Sequence, residues 1–288
     1  MIFHFLNNAF ANEQEAVFSP FDLGLLRGYG VFDYVQLYQG KPFHLDDHLD
    51  RLKWSAQQID LALPMDIGEI KALTLQLIDK NPPIDAGIRF LITGGLCGKE
   101  FLLPANHSEL VMLFHPFQPH PERYYKEGMR VVTFHSDRTY PCVKATNYTH
   151  AVLAMKKAEK ARADDAIYLN SSQELLEATT SNLFFLKDGK WITAKDDQVV
   201  NGVTRTILLR LAKEHYPVEF RALHLDEIEA CDEAFLCSSV KDAVPLVQID
   251  DKKVGTGLPG AHTAKMRSLF HRYLENYFSE KHETLVTH

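Results

Sequence analysis

The chain has 288 residues, 45% of them hydrophobic and 24% charged, enough apolar material for one large or two smaller cores. A formal net charge of -7 without any dense Lys/Arg cluster argues against nucleic acid as a partner. No apolar run approaches the roughly 18 residues of a membrane helix, and the start MIFHFLNNAF lacks a secretory pattern, so a cytoplasmic protein is expected.

In chain order, GVFDYVQLYQGKPF alternates around Gln39-Gly40 and predicts a hairpin, while LDDHLDRLKWSAQQIDLAL sets Leu45, Leu49, Leu52 and Ala56 on one helical face. IGEIKALTLQLIDKN predicts a second helix, stopped by Pro82-Pro83, and AGIRFLITGG and HSELVMLFHPF predict strands. Pro116, Pro119 and Pro121 deny regular pairing. They mark 116–123 as a linker between a small N-terminal α/β domain, 1–115, and a larger domain, 124–288. Beyond it MRVVTFHSD and the region of PCVKATNY read as extended, and THAVLAMKKAEKARA as a helix with Ala151, Leu153, Ala154 and Ala158 on its apolar side. The strands DAIYLN, LLEATTSNLFFLKDGKWITA and EAFLCSS follow, with the helices TRTILLRLAKEHY and TAKMRSLFHRYLENYF. Mixed elements without a regular βαβ period predict an α+β fold. GTGLPG satisfies GxGxxG at Gly255, Gly257 and Gly260 but lacks the following strand and acidic residue of a dinucleotide site, and reads as a turn. Cys97, Cys142, Cys231 and Cys237 are scattered, and the histidines show no ligand spacing such as HExxH, so reduced thiols and no metal site are expected.

Several polar residues stand out. Lys144 lies in VKATNY at the end of a predicted strand, although most lysines are solvated surface charges. Glu177 interrupts a stretch of apolar and small residues. Arg51 follows His48 by one helical turn and could pair with Asp47. Asn201-Gly202 makes a turn into a helix whose first residues, Val203 and Thr204, present backbone N–H groups suited to an anion.

In their order and spacing, HLDDHLDRL, VKATNY, LLEATTSNLFF and GVTRTILLRLA resemble the signature of the class IV aminotransferases, the pyridoxal 5′-phosphate (PLP) fold-type IV family. That family includes branched-chain aminotransferases, D-amino acid transaminases and aminodeoxychorismate lyases. The resemblance extends from LLRGYGVFDY to the last helix. It implies a two-domain fold-type IV architecture with a larger C-terminal pseudo-barrel domain, PLP as cofactor and a homodimer. Lys144 would form the Schiff base and shuttle the proton, and Glu177 would face the pyridine nitrogen and keep it protonated. Arg51, supported by His48, would grip the phosphate together with Val203, Thr204 and Ser239, beside which Ser238 stands. Tyr148 would meet the phenolic oxygen as in branched-chain enzymes, yet Asn147 follows Lys144 at the spacing of D-amino acid transaminases and lyases.

Where branched-chain enzymes carry Tyr-x-Arg this chain has Gly87-Ile88-Arg89, and where familiar D-amino acid transaminases carry T-R-G it has Thr93-Gly94-Gly95. Arg27 and Arg89 remain, both in apolar stretches of sequence, where a buried charge needs an anionic partner. That partner is either a structural carboxylate such as Asp33 or the carboxylate of a substrate. In the second case the pair resembles an atypical subgroup of D-amino acid transaminases, acting on a D-amino acid and a 2-oxo acid such as pyruvate or 2-oxoglutarate. A branched-chain L-amino acid aminotransferase and an aminodeoxychorismate lyase are the alternatives.

Overall fold

A computed structural model describes residues 1–105 and 107–285, with side chains through residue 279. The chain divides into two compact units, Met1–Pro119 with Cys142–Thr149, and His120–Pro141 with His150–His288. The segment that carries Lys144 therefore clusters with the first unit, although the predicted domain limits put it in the second.

The first unit contains β1 (Phe3–Leu6), β2 (Ala9–Asn12), α1 (Leu23–Arg27), β3 (Gly30–Tyr38), β4 (Lys41–Pro42), α2 (Leu45–Gln58), α3 (Ile67–Asp79), β5 (Ala86–Thr93) and β6 (Glu109–Pro116). Its antiparallel sheet has the order β2-β1-β6-β5-β3-β4. The hairpin turn puts Gln39 (φ 49) and Gly40 (φ 78) in the left-handed region that matches strand twist. Leu45, Leu49, Leu52 and Ala56 of α2 are all buried, and with Ile70 and Leu77 of α3 they cover Val31, Val35, Ile88, Phe90, Ile92 and Met112. The start of α3 is fixed by a capping box between Asp66 and Glu69. Strand alternation then assigns Phe32, Tyr34, Gln36, Gly87, Arg89 and His115 to the sheet face turned away from that core. PCVKATNY runs beside β3, with an isolated bridge between Val31 and Ala145. Lys144 O accepts from Phe32 N at 2.9 Å, and Thr146 N donates to Gly30 O at 2.9 Å.

The second unit contains α4 (Arg123–Lys126), β7 (Met129–His135), α5 (Thr149–Lys160), β8 (Asp165–Leu169), β9 (Glu174–Ala178), β10 (Asn182–Lys187), β11 (Lys190–Thr193), α6 (Val203–Lys213), β12 (Val218–Phe220), β13 (Leu223–His224), β14 (Glu233–Ser238), β15 (Lys241–Ile249), β16 (Lys252–Lys253) and α7 (Ala261–Leu285). A curled ten-stranded sheet runs β12-β11-β10-β14-β15-β7-β8-β9-β13, with β16 on β15. The fold is α+β, as expected. Of the three parallel pairs among the described residues, β7 with β8 and β11 with β12 arise because α5 and α6 carry the chain across between them, and the third joins β7 to β15. The apolar run LLEATTSNLFFLKDGKWITA is three strands, broken at Thr179–Ser181 and Asp188-Gly189. On α5 only Ala151, Ala154 and Ala158 are buried, and Leu153 is 50% exposed, so its predicted inward placement is corrected. The buried alanines form a narrow stripe that excludes a leucine between them. GTGLPG is a turn, with Gly255 at φ 53 and Gly257 at φ 74. No helix among the described residues is long and apolar enough to cross a membrane, and no group of three or more His, Cys, Asp or Glu there could hold a metal ion.

Candidate active site

Phe32 organises the site residues of the first unit. On β3, it is 8% exposed, and its ring has Lys144 Nζ at 4.4 Å, Arg89 Cζ at 5.7 Å and the Tyr148 ring edge-on at 5.2 Å. A cation over an aromatic face gains electrostatic stabilisation that persists when water is excluded. The main chain of Lys144 is held by β3 on one side and by Ser55 Oγ of α2, which accepts from Lys144 N at 3.4 Å, on the other.

The neighbouring residue on β3, Asp33, points the opposite way, into the layer under α2. Arg51 donates to it twice, Nε to Oδ2 at 2.8 Å and Nη2 to Oδ1 at 2.7 Å, and His48 Nδ1 lies 2.7 Å from Oδ1. Burial alone would raise the Asp33 carboxyl, but the Arg51 guanidinium and the His48 ring outweigh it and hold the group well below the usual carboxylate range. Burial, with the charges of Arg51 and Lys144, lowers His48 despite the adjoining carboxylate. His48 is therefore neutral near pH 7 and donates from Nδ1 to Asp33. Asp47 is not the partner of Arg51; it pairs with His44 at 2.5 Å.

Arg27 and Arg89 overturn the burial expected of them, since both are exposed. Arg27 ends the five-residue α1, where Gly28 (φ 65) turns the chain, and its Nη1 donates to Leu26 O at 2.9 Å. Arg89 is on the sheet face away from α2 and α3, opposite Tyr34. Asp33 serves neither, being taken by Arg51 and His48, and neither arginine forms an ion pair among the described residues. The structure thus gathers Lys144, Tyr148 and Arg89 around one ring, with Arg51 beneath it, and leaves Arg27 apart.

In the second unit Glu177, on β9 and 4% exposed, accepts from Arg138 Nη2 at 2.5 Å, Asn182 Nδ2 at 3.0 Å and the Val200 N–H at 3.2 Å. Asn182 also donates to Val200 O at 2.8 Å, and its Oδ1 occupies the space that a Cβ on Gly202 would enter. One amide therefore fixes both the Glu177 carboxylate and the residue before α6. Gly202 caps α6 without a side-chain hydrogen bond, and Val203, Thr204 and Arg205 are all buried. A buried first turn without a side-chain cap leaves backbone N–H groups of the kind an anion can take up. The Arg205 side chain is not part of it, because its guanidinium is directed to Asp196 Oδ1 and Ala194 O, each at 2.6 Å. Ser239 begins the turn between β14 and β15, whereas Ser238, the last residue of β14, has a buried Oγ with no hydrogen-bond partner. Arg138 Nε is likewise buried without a partner, and its guanidinium lies 4.9 Å from the Tyr168 ring centroid. Sequence reasoning missed Asn182 and Arg138, and it set Ser238 only beside Ser239. An amide five residues after Glu177, opening the apolar run NLFFL, was a usable signal for Asn182. Arg138, in a segment without periodicity, offered none.

Residues 30–249 match the family model of amino-transferase class IV. The chain is 32% identical over 273 residues to a provisionally named branched-chain-amino-acid aminotransferase of Methanocaldococcus jannaschii, covering 92% of this chain and 94% of that one. It is 30% identical over 271 residues to a D-alanine aminotransferase of Listeria monocytogenes serotype 4b, covering 92% and 93%. Among solved structures it is similar to a T.th. branched-chain amino acid aminotransferase with pyridoxamine 5′-phosphate, at a TM-score of 0.85 and 25% identity over 93% of this chain and 92% of the other. With sequence, fold and the buried Glu177 and α6 arrangement in agreement, the chain belongs to the class IV aminotransferases, enzymes that use PLP.

Proposed function

We propose that this aminotransferase takes D-amino acids as its donors, D-alanine or D-glutamate among them, and passes the amino group to a 2-oxo acid such as pyruvate or 2-oxoglutarate. The observation that carries this reading is Arg89, an exposed guanidinium with no ion pair among the described residues, above the same Phe32 ring as Lys144. Similarity to D-alanine aminotransferases supports it. The similarity to branched-chain enzymes keeps a branched-chain L-amino acid specificity as the second reading.

The residues present fit PLP: the buried first turn of α6 without a side-chain cap, the bare Ser238 hydroxyl and the buried Glu177 carboxylate are the groups a phosphate and a pyridine nitrogen require. When bound, the cofactor supplies an aldehyde that takes up the amino group and a ring that accepts the electrons released at the substrate's α-carbon. In this reading the Lys144 amine holds the cofactor and then moves the proton at the α-carbon. Glu177, which accepts from Arg138, Asn182 and the Val200 N–H, holds the proton on the ring nitrogen. The N–H groups of Val203 and Thr204, with Ser239 or Ser238, hold the phosphate. Arg51, whose Nε and Nη2 face Asp33, is the further phosphate ligand that the family resemblance implies. Tyr148 steadies the cofactor near Lys144, and Arg89 orients the substrate's α-carboxylate. We place the enzyme in the cytoplasm and as a homodimer, the second reading supported by the exposed apolar side chains of Phe21, Leu25, Leu96, Phe101, Leu102 and Leu103.

An amino-donor screen in both enantiomers, with pyruvate and 2-oxoglutarate as acceptors, tests the proposal. D-Alanine or D-glutamate is expected to lead. A strong preference for L-leucine or L-isoleucine would establish the branched-chain reading instead, and steady turnover of aminodeoxychorismate without an added 2-oxo acid would establish the lyase.

A further inference from the structure

On the outer face of the six-stranded sheet, one side chain fills a gap left by another residue. Gly87 of β5 lies opposite Gln36 of β3 and His115 of β6, and a Cβ built on it would overlap both the hydroxyl and the ring of Tyr34. The Tyr34 phenol therefore occupies the space that a side chain at Gly87 would need. Its ring is 5.5 Å from that of His115, and Oη donates to Gln36 Oε1 at 2.9 Å. Its cross-strand neighbour is Arg89.

We propose that Tyr34 is a specificity-determining residue whose hydroxyl, seated in the space that Gly87 leaves open, donates to the same substrate carboxylate that Arg89 binds. The proposal rests on the reading of Arg89 as the carboxylate's ligand. Glycine at 87 permits the placement, because any larger residue would evict the phenol. The hydroxyl's one hydrogen is donated to Gln36 Oε1 at rest and, by rotation of the O–H alone, can exchange that neutral acceptor for an arriving carboxylate, the stronger one. Burial pushes the hydroxyl up to about 12 against the opposing pull of Arg89, so it keeps its proton at neutral pH. Burial, with the charges of Arg89 and His4, lowers His115, which is then neutral and adds no competing positive charge. Around Gly87 this leaves one cation and one neutral donor, a pairing suited to a single carboxylate rather than to a phosphate.

The test uses the PLP-loaded enzyme and glutarate, which has carboxylates but no amino group to react. Tyr34→Phe keeps the ring over Gly87 and removes only the hydroxyl. It is expected to raise the KM of the preferred donor and the Kd of glutarate, read from the cofactor absorbance, by roughly ten-fold, with kcat changed less than about two-fold. Arg89→Ala, measured alongside, tests the underlying reading. Weakened glutarate binding in Arg89→Ala but not in Tyr34→Phe overturns the role of Tyr34 and leaves that of Arg89 standing. Unchanged binding in both overturns the carboxylate site itself. A swap variant, Tyr34→Ala with Gly87→Tyr, returns the hydroxyl from β5 and is expected to recover glutarate binding relative to Tyr34→Ala alone. A swap variant that retains its circular dichroism and cofactor yet recovers nothing counts against the shared-space argument.

Discussion

Lys144→Ala is expected to abolish transamination while noncovalent PLP binding persists, since the phosphate contacts proposed for Arg51 and α6 are untouched. Borohydride reduction followed by peptide mapping checks the assignment, and label on a different lysine would sink it. Arg51 acts in two places. Arg51→Lys retains a positive charge for Asp33 but loses the two-pronged geometry, so the PLP dissociation constant should rise by about ten-fold while kcat at full occupancy stays within a few-fold. A large fall in kcat at full occupancy with unchanged PLP affinity would show that Arg51 does not grip the phosphate. The neighbouring His48 gives a pH signature. An unfolded histidine takes up a proton near its ordinary 6.5, whereas buried His48 resists protonation, so the unfolded state binds more protons and stability declines as pH falls below about 6.5. Asp33, held low, adds a second loss only under much stronger acid, below its ordinary 3.8. Urea midpoints between about pH 7.5 and 5.5 should therefore fall less in His48→Gln than in the wild type, and parallel slopes would assign the acid sensitivity elsewhere. At this scale the motifs singled out Lys144, Glu177 and Arg51 as the residues whose roles these experiments test. The surroundings of Arg27 and Arg89 were misjudged, because apolar neighbours in sequence do not bury a strand residue that alternation turns outward.

Among the elements, the junction of β10 and α6 concentrates most of the proposed cofactor contacts in few atoms. Gly202→Ala would drive a methyl group into the Asn182 amide, which also fixes Glu177. A single added carbon should therefore weaken PLP binding and disturb the cofactor spectrum together, while Ala at Ser239 should affect affinity alone. Measured side by side, Ser238→Ala and Ser239→Ala decide which hydroxyl serves the phosphate. The bare buried Oγ favours a greater loss of PLP affinity at Ser238. The helices were legible because their apolar faces are periodic, α2 above all. The strands around Glu177 were legible only as one run, since NLFFLKDGKWITA is apolar on both faces of a covered sheet and hides its turns from a period-two reading. β15 escaped notice for a related reason: it contains Pro245, which normally argues against a strand.

For the molecule as a whole, the exposed Phe21 and Phe101, whose ring centroids are 6.5 Å apart, predict self-association. Light scattering should report a dimer, and Phe21→Ser with Phe101→Ser should shift it toward the monomer. A monomeric wild type would leave that apolar surface without its proposed partner. The order of the chain has a further consequence for biosynthesis. The Gly30–Phe32 end of β3 has β5 on one side, and its other neighbour is the segment around Ala145, which leaves the ribosome only after β7 has been made. Until then the nascent first unit exposes the open edge of a strand, a template for pairing with other chains. A fragment of residues 1–119 is thus expected to aggregate and to unfold at lower urea than the same fragment supplied with a peptide of residues 142–149. The residue proposed to hold the cofactor would then arrive on the very piece of chain that seals the sheet, so that chemical competence and protection from misassembly are acquired in one step of synthesis.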